Sequence, residues 1–265
     1  VKQFQLKRER MGFKKELKIL KKIKQLQLKD NGGFPVIVSA KLSTSLGEIL
    51  MSFAGRDVFE LLEIQKSLED PRKHKKFDLR KLSDLGMQIV SQLEIIHKLG
   101  YTHGDLKFQN ICFNEETKRY TIIDFALVTK IFLRNGKHKE QEDVKSFYGN
   151  SLFASDSMVE LKTTSRKDDL ESLMYILCYL HSGKLPIIEF INENIDDFHM
   201  SEFLNEVLKY RRENKLKCHD RIKQLLPGSL RSAFDYIIGL KHDEKPNYGL
   251  IRLWMVFDNA DEERF

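Results

Sequence analysis

Three polar side chains within six residues carry the most chemistry in this chain. Asp105, Lys107 and Asn110 lie in the stretch His103-Gly104-Asp105-Leu106-Lys107-Phe108-Gln109-Asn110, and a second carboxylate follows in Asp124-Phe125-Ala126. Carboxylate and amide oxygens are hard ligands of the kind Mg²⁺ accepts. Lys107 adds a cation suited to phosphate charge. Such a set fits phosphoryl transfer, where positioning and electrostatics do most of the catalysis. Any one of these residues alone would pass for the decoration of a turn. Their combination at these spacings is what points to chemistry.

Short strands must position them. Residues 111–113 and 120–123 read as strands around the polar turn 114–119, a hairpin that could bring Asp124 back beside Asn110. Asp78 reads as the N-cap of a long helix carrying Leu82, Leu85, Ile89, Leu93 and Ile96 at steps of three and four. Residues 168–180 are apolar on most faces, as in a buried helix. Upstream, 1–5 read as the end of a strand. Residues 12–24 read as an amphipathic helix with Phe13, Leu17, Leu20 and Lys24 in one stripe. Residues 34–42 and 46–51 read as two further strands. Residues 126–167 show little periodicity, and helical segments run on to Trp254. A small strand-rich part therefore precedes a large helical part, which is an α+β fold class and not alternating βαβ.

Composition narrows the classes. In 265 residues, 41% are hydrophobic, 32% are charged, and Gly and Pro number only 14 and 5, which excludes collagen and low-complexity disorder. No apolar run reaches the roughly 18 residues of a membrane span. Cys112, Cys178 and Cys218 lie far apart without a CxxC pair, as expected of an intracellular, cytoplasmic protein and not of a disulfide framework or zinc site. The net charge of +6 is concentrated: residues 1–30 hold eleven Lys or Arg against three acids, so the remaining 235 sum to −2. Neither aromatic interleaving nor a groove-reading motif accompanies these lysines, so they do not make nucleic acid the expected partner.

His103 to Asn110 resembles the catalytic loop H-R-D-x-x-x-x-N of protein kinases, and Asp124-Phe125-Ala126 resembles their D-F-G metal motif. The likeness extends further. Residues 150–175, NSLFASDSMVELKTTSRKDDLESLMY, are similar to the casein kinase I group's segment from TARYAS to RRDDLESLGY. Residues 241–248, KHDEKPNY, resemble its FDDKPDY element, and Met51-Ser52-Phe53-Ala54-Gly55 resembles its hinge MELLG. His-Gly-Asp is similar to the vaccinia-related kinases, and the ending VFDNADEERF to the tau-tubulin kinases. These landmarks span almost the whole chain in the correct order. The resemblance implies a bilobal protein-kinase-like fold: 1–51 a partial small β-rich N-lobe, 52–55 the hinge, 56–265 the large helical C-lobe. It also implies ATP and Mg²⁺ as cofactors and a protein substrate.

Carried over residue by residue, the resemblance implies that Asp105 orients the substrate hydroxyl and accepts its proton. Lys107 neutralises the γ-phosphate, and Asn110 and Asp124 hold Mg²⁺. Lys2 holds the α- and β-phosphates and pairs with Glu16, an acid set in the inward stripe of its helix; the alternative is that Glu16 is a solvated helix acid. Ser52, Phe53, Ala54 and Gly55 offer backbone groups to adenine, with Met51 behind it. Cys112 and Ile123 line the nucleotide floor, unless Cys112 is simple packing. Leu20, Phe125 and His103 stack as an apolar spine anchored by Asp169.

The chain departs from the pattern in four places. No glycine-rich loop precedes Lys2: the loop and two strands are expected upstream of Val1, the alternative being that the protein lacks the loop. Ala126 replaces the usual Gly of the metal motif. Gly104 replaces the arginine that pairs with an activation-segment phosphate, so that phosphate is expected to be dispensable. Leu152 replaces the arginine of TARYAS, and residues 187–190 depart from the WQGLK-like stretch, so the pocket for pre-phosphorylated substrates is altered. Arg134, Lys137, Lys139 and Lys145 would either favour an acidic substrate or be solvated loop charges. The run 72–76, RKHKK, is either a docking patch or a solvated turn. Two readings follow: a serine/threonine kinase of the casein kinase I group, and a pseudokinase acting as a structural or interaction module in a larger protein assembly.

Overall fold

The structure is a computed structural model that describes residues 1–68, 77–194 and 202–256; the run 72–76 and most of the final motif lie outside them. Strand β1 (Lys2–Gln5) leads directly into helix α1 (Leu6–Gln25). The helix begins six residues before the expected start at Gly12, and Glu9 in its first turn accepts a hydrogen bond from the Gln5 amide at 2.6 Å. Gly12 is an interior residue whose missing side chain matters: a Cβ there would lie 3.1 Å from the Ala126 Cβ. Phe13, Glu16, Ile19, Leu20 and Ile23 are buried and Leu17 is half-buried. Lys24 is exposed instead of continuing the stripe.

After a 3₁₀ turn (Lys29–Gly33), strands β2 (Ile37–Leu42) and β3 (Leu46–Met51) pair antiparallel, and β1 pairs with β3, giving the order β1-β3-β2. Residues 34–36, expected in the strand, stay outside it. Pro35 has no N–H for a ladder, and Phe34 turns into the core against Phe125, ring centroids 6.0 Å apart.

The larger part begins with β4 (Arg56–Asp57), α2 (Val58–Leu68) and α3 (Leu79–Lys98). Asp78 caps α3 as expected, its side chain accepting from the Lys81 amide, and Leu82, Leu85, Ile89, Leu93 and Ile96 are fully buried. β5 (Tyr101–Thr102) precedes a 3₁₀ turn (Phe108–Asn110). The hairpin β6 (Ile111–Asn114) and β7 (Arg119–Ile122) pairs Ile111 with Ile122. Gln92 of α3 ties it down: its Nε2 donates to the Tyr120 carbonyl at 2.7 Å and its Oε1 accepts from the Ile122 amide at 2.8 Å. β8 (Thr129–Lys130) pairs with β5, and the segment beyond it holds only the short α4 (Asp156–Val159).

Helix α5 (Arg166–Ser182) is the centre of the helical part, opened by a Ser165–Asp168 capping box. Buried positions cover most of its faces, including Asp168, Asp169 and Glu171. Around it run α6 (Pro186–Asn194), α7 (Phe203–Glu213), α8 (Lys215–Leu225), α9 (Gly228–Gly239) and α10 (Tyr248–Trp254). Among the described residues, no helix is long and apolar enough to cross a membrane.

Candidate active site

The loop 103–110 is held from below by one buried carboxylate. Asp169 Oδ2 accepts from the His103 amide at 2.7 Å and from His97 Nε2 at 2.8 Å, and Oδ1 accepts from the Gly104 amide at 2.9 Å. Burial alone would raise this carboxyl, but the hydrogen bonds from His97 and the Gly104 amide outweigh it and hold the group below the usual carboxylate range. Gly104 has φ 77°, a left-handed backbone that glycine adopts without steric cost.

Within the loop the groups are arranged around Asp105. Its Oδ2 accepts from Lys107 Nζ at 2.7 Å and from Asn110 Nδ2 at 3.1 Å, and Asn110 Nδ2 also donates to the Asp105 carbonyl at 2.8 Å. Asp105 is 7% exposed, and its other oxygen, Oδ1, has no hydrogen-bond partner. One oxygen is thus pinned and the other is buried without a partner. Gly149 lies against this edge; a Cβ there would approach the Gly104 carbonyl and Asp105 Oδ1. Gly149 has φ 92°, a left-handed backbone that does not show in the sequence.

The hairpin returns Asp124 to the loop. The Ile123 amide donates to the Asn110 carbonyl at 3.0 Å, and His103 Nε2 lies 3.0 Å from the Ile123 carbonyl. Asp124 has φ 66°, uncommon for a residue with a side chain but tolerated by Asp. Lys2 Nζ reaches Asp124 Oδ1 at 2.6 Å and Glu16 Oε2 at 2.7 Å. Glu16 Oε2 also accepts from the Phe125 amide at 3.0 Å. Glu16 therefore faces inward, and one lysine joins β1, α1 and the Asp124 turn. The direct contact with Asp124 was not anticipated. Leu20 and Phe125 are buried in one core, and Phe125 packs edge-on against His103 with centroids 5.4 Å apart.

The two acids sharing Lys2 titrate in opposite directions. Burial pushes Glu16, whose side chain is 1% exposed, up to about 7 against the pull of Lys2. Asp124, 34% exposed, is burdened less by burial, and Lys2 and the Ala126 amide hold it low. A raised acid binds its proton more tightly when folded, so ionising Glu16 costs stability as pH rises from about 4.3. That cost accumulates up to about 7. Wild-type melting temperature is accordingly expected to fall relative to Glu16→Gln across this interval in thermal melts. Equal pH slopes for the two proteins would contradict it.

Met51 ends β3, and Ser52, Phe53, Ala54 and Gly55 follow without regular structure. The Ser52 amide donates to the Val36 carbonyl at 2.9 Å and so is not offered to a ligand. The Phe53 side chain is 79% exposed. Gly55 has φ 103°, and a Cβ there would run into the Phe113 carbonyl. Cys112 on β6 is buried between β4 and β7, its thiol pushed up to about 12 by burial and by Asp57 and Glu60; Ile123 is half-buried.

The departures are local. Ala126 is not among the residues with positive φ, so its methyl imposes no left-handed strain. Leu152 packs, half-buried, on the core. Arg134, Lys137, Lys139 and Lys145 are all exposed.

The family model of the protein kinase domain matches residues 2–235. This chain belongs to the protein kinase family. Similar curated proteins include a probable serine/threonine-protein kinase of fowlpox virus, 29% identical over 197 residues. A probable casein kinase I homolog of Encephalitozoon cuniculi is 28% identical over 184 residues, and a probable serine/threonine-protein kinase of Dictyostelium discoideum 27% over 203. The matches cover 73%, 67% and 76% of this kinase chain and 58%, 56% and 37% of those relatives. With the motifs above, these relatives make it a casein kinase I-like protein kinase.

The residues present fit a divalent cation. Asp124 and Asn110 bring hard oxygens to the open end of the hairpin, where the Ile123 amide meets the Asn110 carbonyl, and the cation Lys2 stands at the Asp124 carboxylate.

Proposed function

We propose that this chain transfers the γ-phosphoryl group of ATP to serine or threonine hydroxyls of acidic protein substrates, using Mg²⁺. The observation that carries this reading is the asymmetry of Asp105. Lys107 and Asn110 hold Oδ2, and Oδ1 is left unpaired in a nearly buried position.

Oδ1 accepts the proton of the substrate hydroxyl as its oxygen attacks. Lys107, already beside Asp105, turns its charge to the phosphoryl oxygens. Asn110 and Asp124 hold Mg²⁺, which neutralises phosphate charge when bound. Lys2 contacts the α- and β-phosphates while Glu16 keeps it aimed. The backbone of residues 52–55, read as the hinge between lobes 1–51 and 56–265, receives adenine with Met51 behind it, using groups other than the Ser52 amide. Cys112 and Ile123 form the floor. The exposed Arg134, Lys137, Lys139 and Lys145 support an acidic substrate. Three free cysteines support a reducing, intracellular setting.

The test is incubation with Mg-ATP and an acidic protein rich in Ser and Thr, followed by phosphoamino-acid analysis. Phosphoserine or phosphothreonine is expected. An unmodified substrate would defeat the reading, and a melting temperature still raised by Mg-ATP would then indicate nucleotide binding without transfer.

A further inference from the structure

The 241–248 element resembles a family landmark, yet nothing in the chemistry above uses it. Its last residue, Tyr248, opens α10 and is 4% exposed. Its hydroxyl lies 2.7 Å from His97 Nδ1, across 151 residues of sequence. His97 Nε2 lies 2.8 Å from Asp169 Oδ2, the atom that also receives the His103 amide. All three side chains are buried.

The carboxylate assigns the proton. An ionised carboxylate only accepts, so Nε2 carries hydrogen and donates to Asp169. The Tyr248 hydroxyl, which can donate or accept, completes the chain at Nδ1. Every member of the chain is paired: Tyr248 with His97, His97 with Asp169, and the His103 and Gly104 amides donate to the same carboxylate. The outer end is also fixed. Asn247 caps α10 through the Leu250 amide at 3.1 Å, and Arg252 pairs with Glu94 of α3 at 2.7 Å, one turn before His97.

We propose that Tyr248 is a positioning residue for phosphoryl transfer: it fixes the His97 ring, which orients Asp169, which sets the backbone on which Asp105 is carried. This rests on the function proposed above. Without the hydroxyl, Nδ1 is a buried ring nitrogen with no partner. The ring is then free to turn, and Asp169 loses a fixed donor.

The experiment compares wild type, Tyr248→Phe, and Ile251→Val, a fully buried position in the same helix outside the chain of hydrogen bonds. Tyr248→Phe is expected to lower kcat about tenfold with KM for ATP unchanged, whereas Ile251→Val stays within about twofold. Adding Tyr248→Phe to His97→Gln is expected to cost nothing further, since both act through one ring. Amide hydrogen exchange supplies a readout independent of activity: in Tyr248→Phe the His103 and Gly104 amides exchange about tenfold faster, while those of Ile89 and Leu93 in α3 do not change. The inference is overturned if Tyr248→Phe and Ile251→Val lose equal kcat, or if the two loop amides exchange as in wild type. Should wild type transfer no phosphate at all, the function proposed above fails, and the exchange rates alone decide for or against the relay.

Discussion

Asp105→Asn is expected to lower kcat for phosphate transfer by about 10²- to 10⁴-fold, with KM for ATP nearly unchanged. The substitution keeps the shape of the side chain and can keep its contact with Lys107 through the remaining oxygen. What it removes is the basic Oδ1, the one oxygen of the pair with no partner. Nucleotide contacts are assigned to Lys2, Asp124 and the connection 51–55, so binding of Mg-ATP should survive. A loss of less than about threefold, measured as initial rates at saturating ATP, would mean that Asp105 does not take the proton.

Asp169→Ala is expected to produce the largest loss of stability. Three donors converge on this carboxylate: the His103 amide, the Gly104 amide and His97 Nε2. Its removal leaves all three buried and unpaired, each costing about 1–3 kcal/mol before relaxation. A net loss of about 3–5 kcal/mol is the range for breaking a buried charged pair. Denaturant melts should show the loss as a shift of the midpoint, and a shift of under about 1 kcal/mol would contradict the anchoring role. The pH dependence has a definite sign. Because Asp169 is held low in the fold, its contribution is present above the unfolded value near 4. It disappears as pH falls through the folded value. The Ala variant should therefore be closest to wild type in stability at acid pH.

Parts of this site are legible in sequence for a physical reason. Asp105, Lys107 and Asn110 fall within one loop, so their mutual hydrogen bonds are nearly local, and the two strands that follow can only fold back and bring Asp124 with them. The buried faces of α3 and α5 follow from the spacing of apolar residues. The true start of α1 at Leu6 is less visible: Gly12 suggests a boundary, but its small size serves the close approach to Ala126. Lys24 falls on the apolar stripe by spacing yet ends exposed, since its position near the helix terminus lets the long side chain leave the core. The contact of Lys2 with Asp124 depends on how α1 packs on residues 124–126, a relation between distant segments that no local pattern encodes. The same holds for His97 and Tyr248, joined only by the docking of α10 on α3. The commitment of the Ser52 amide to Val36 is set by strand register at the end of β3, where a residue-by-residue comparison with a hinge motif is silent.

The central claim is that Lys2, Asp105, Asn110 and Asp124 form a working site for phosphoryl transfer. Single-turnover transfer of labelled γ-phosphate from ATP to an acidic protein, measured over a range of Mg²⁺ for wild type and Asp124→Asn, tests it most directly. Wild type is predicted to convert bound ATP into phosphoprotein with saturating dependence on Mg²⁺, and Asp124→Asn to be at least about 10²-fold slower at every concentration. Equal rates for the two proteins, whether both fast or both negligible, would contradict it.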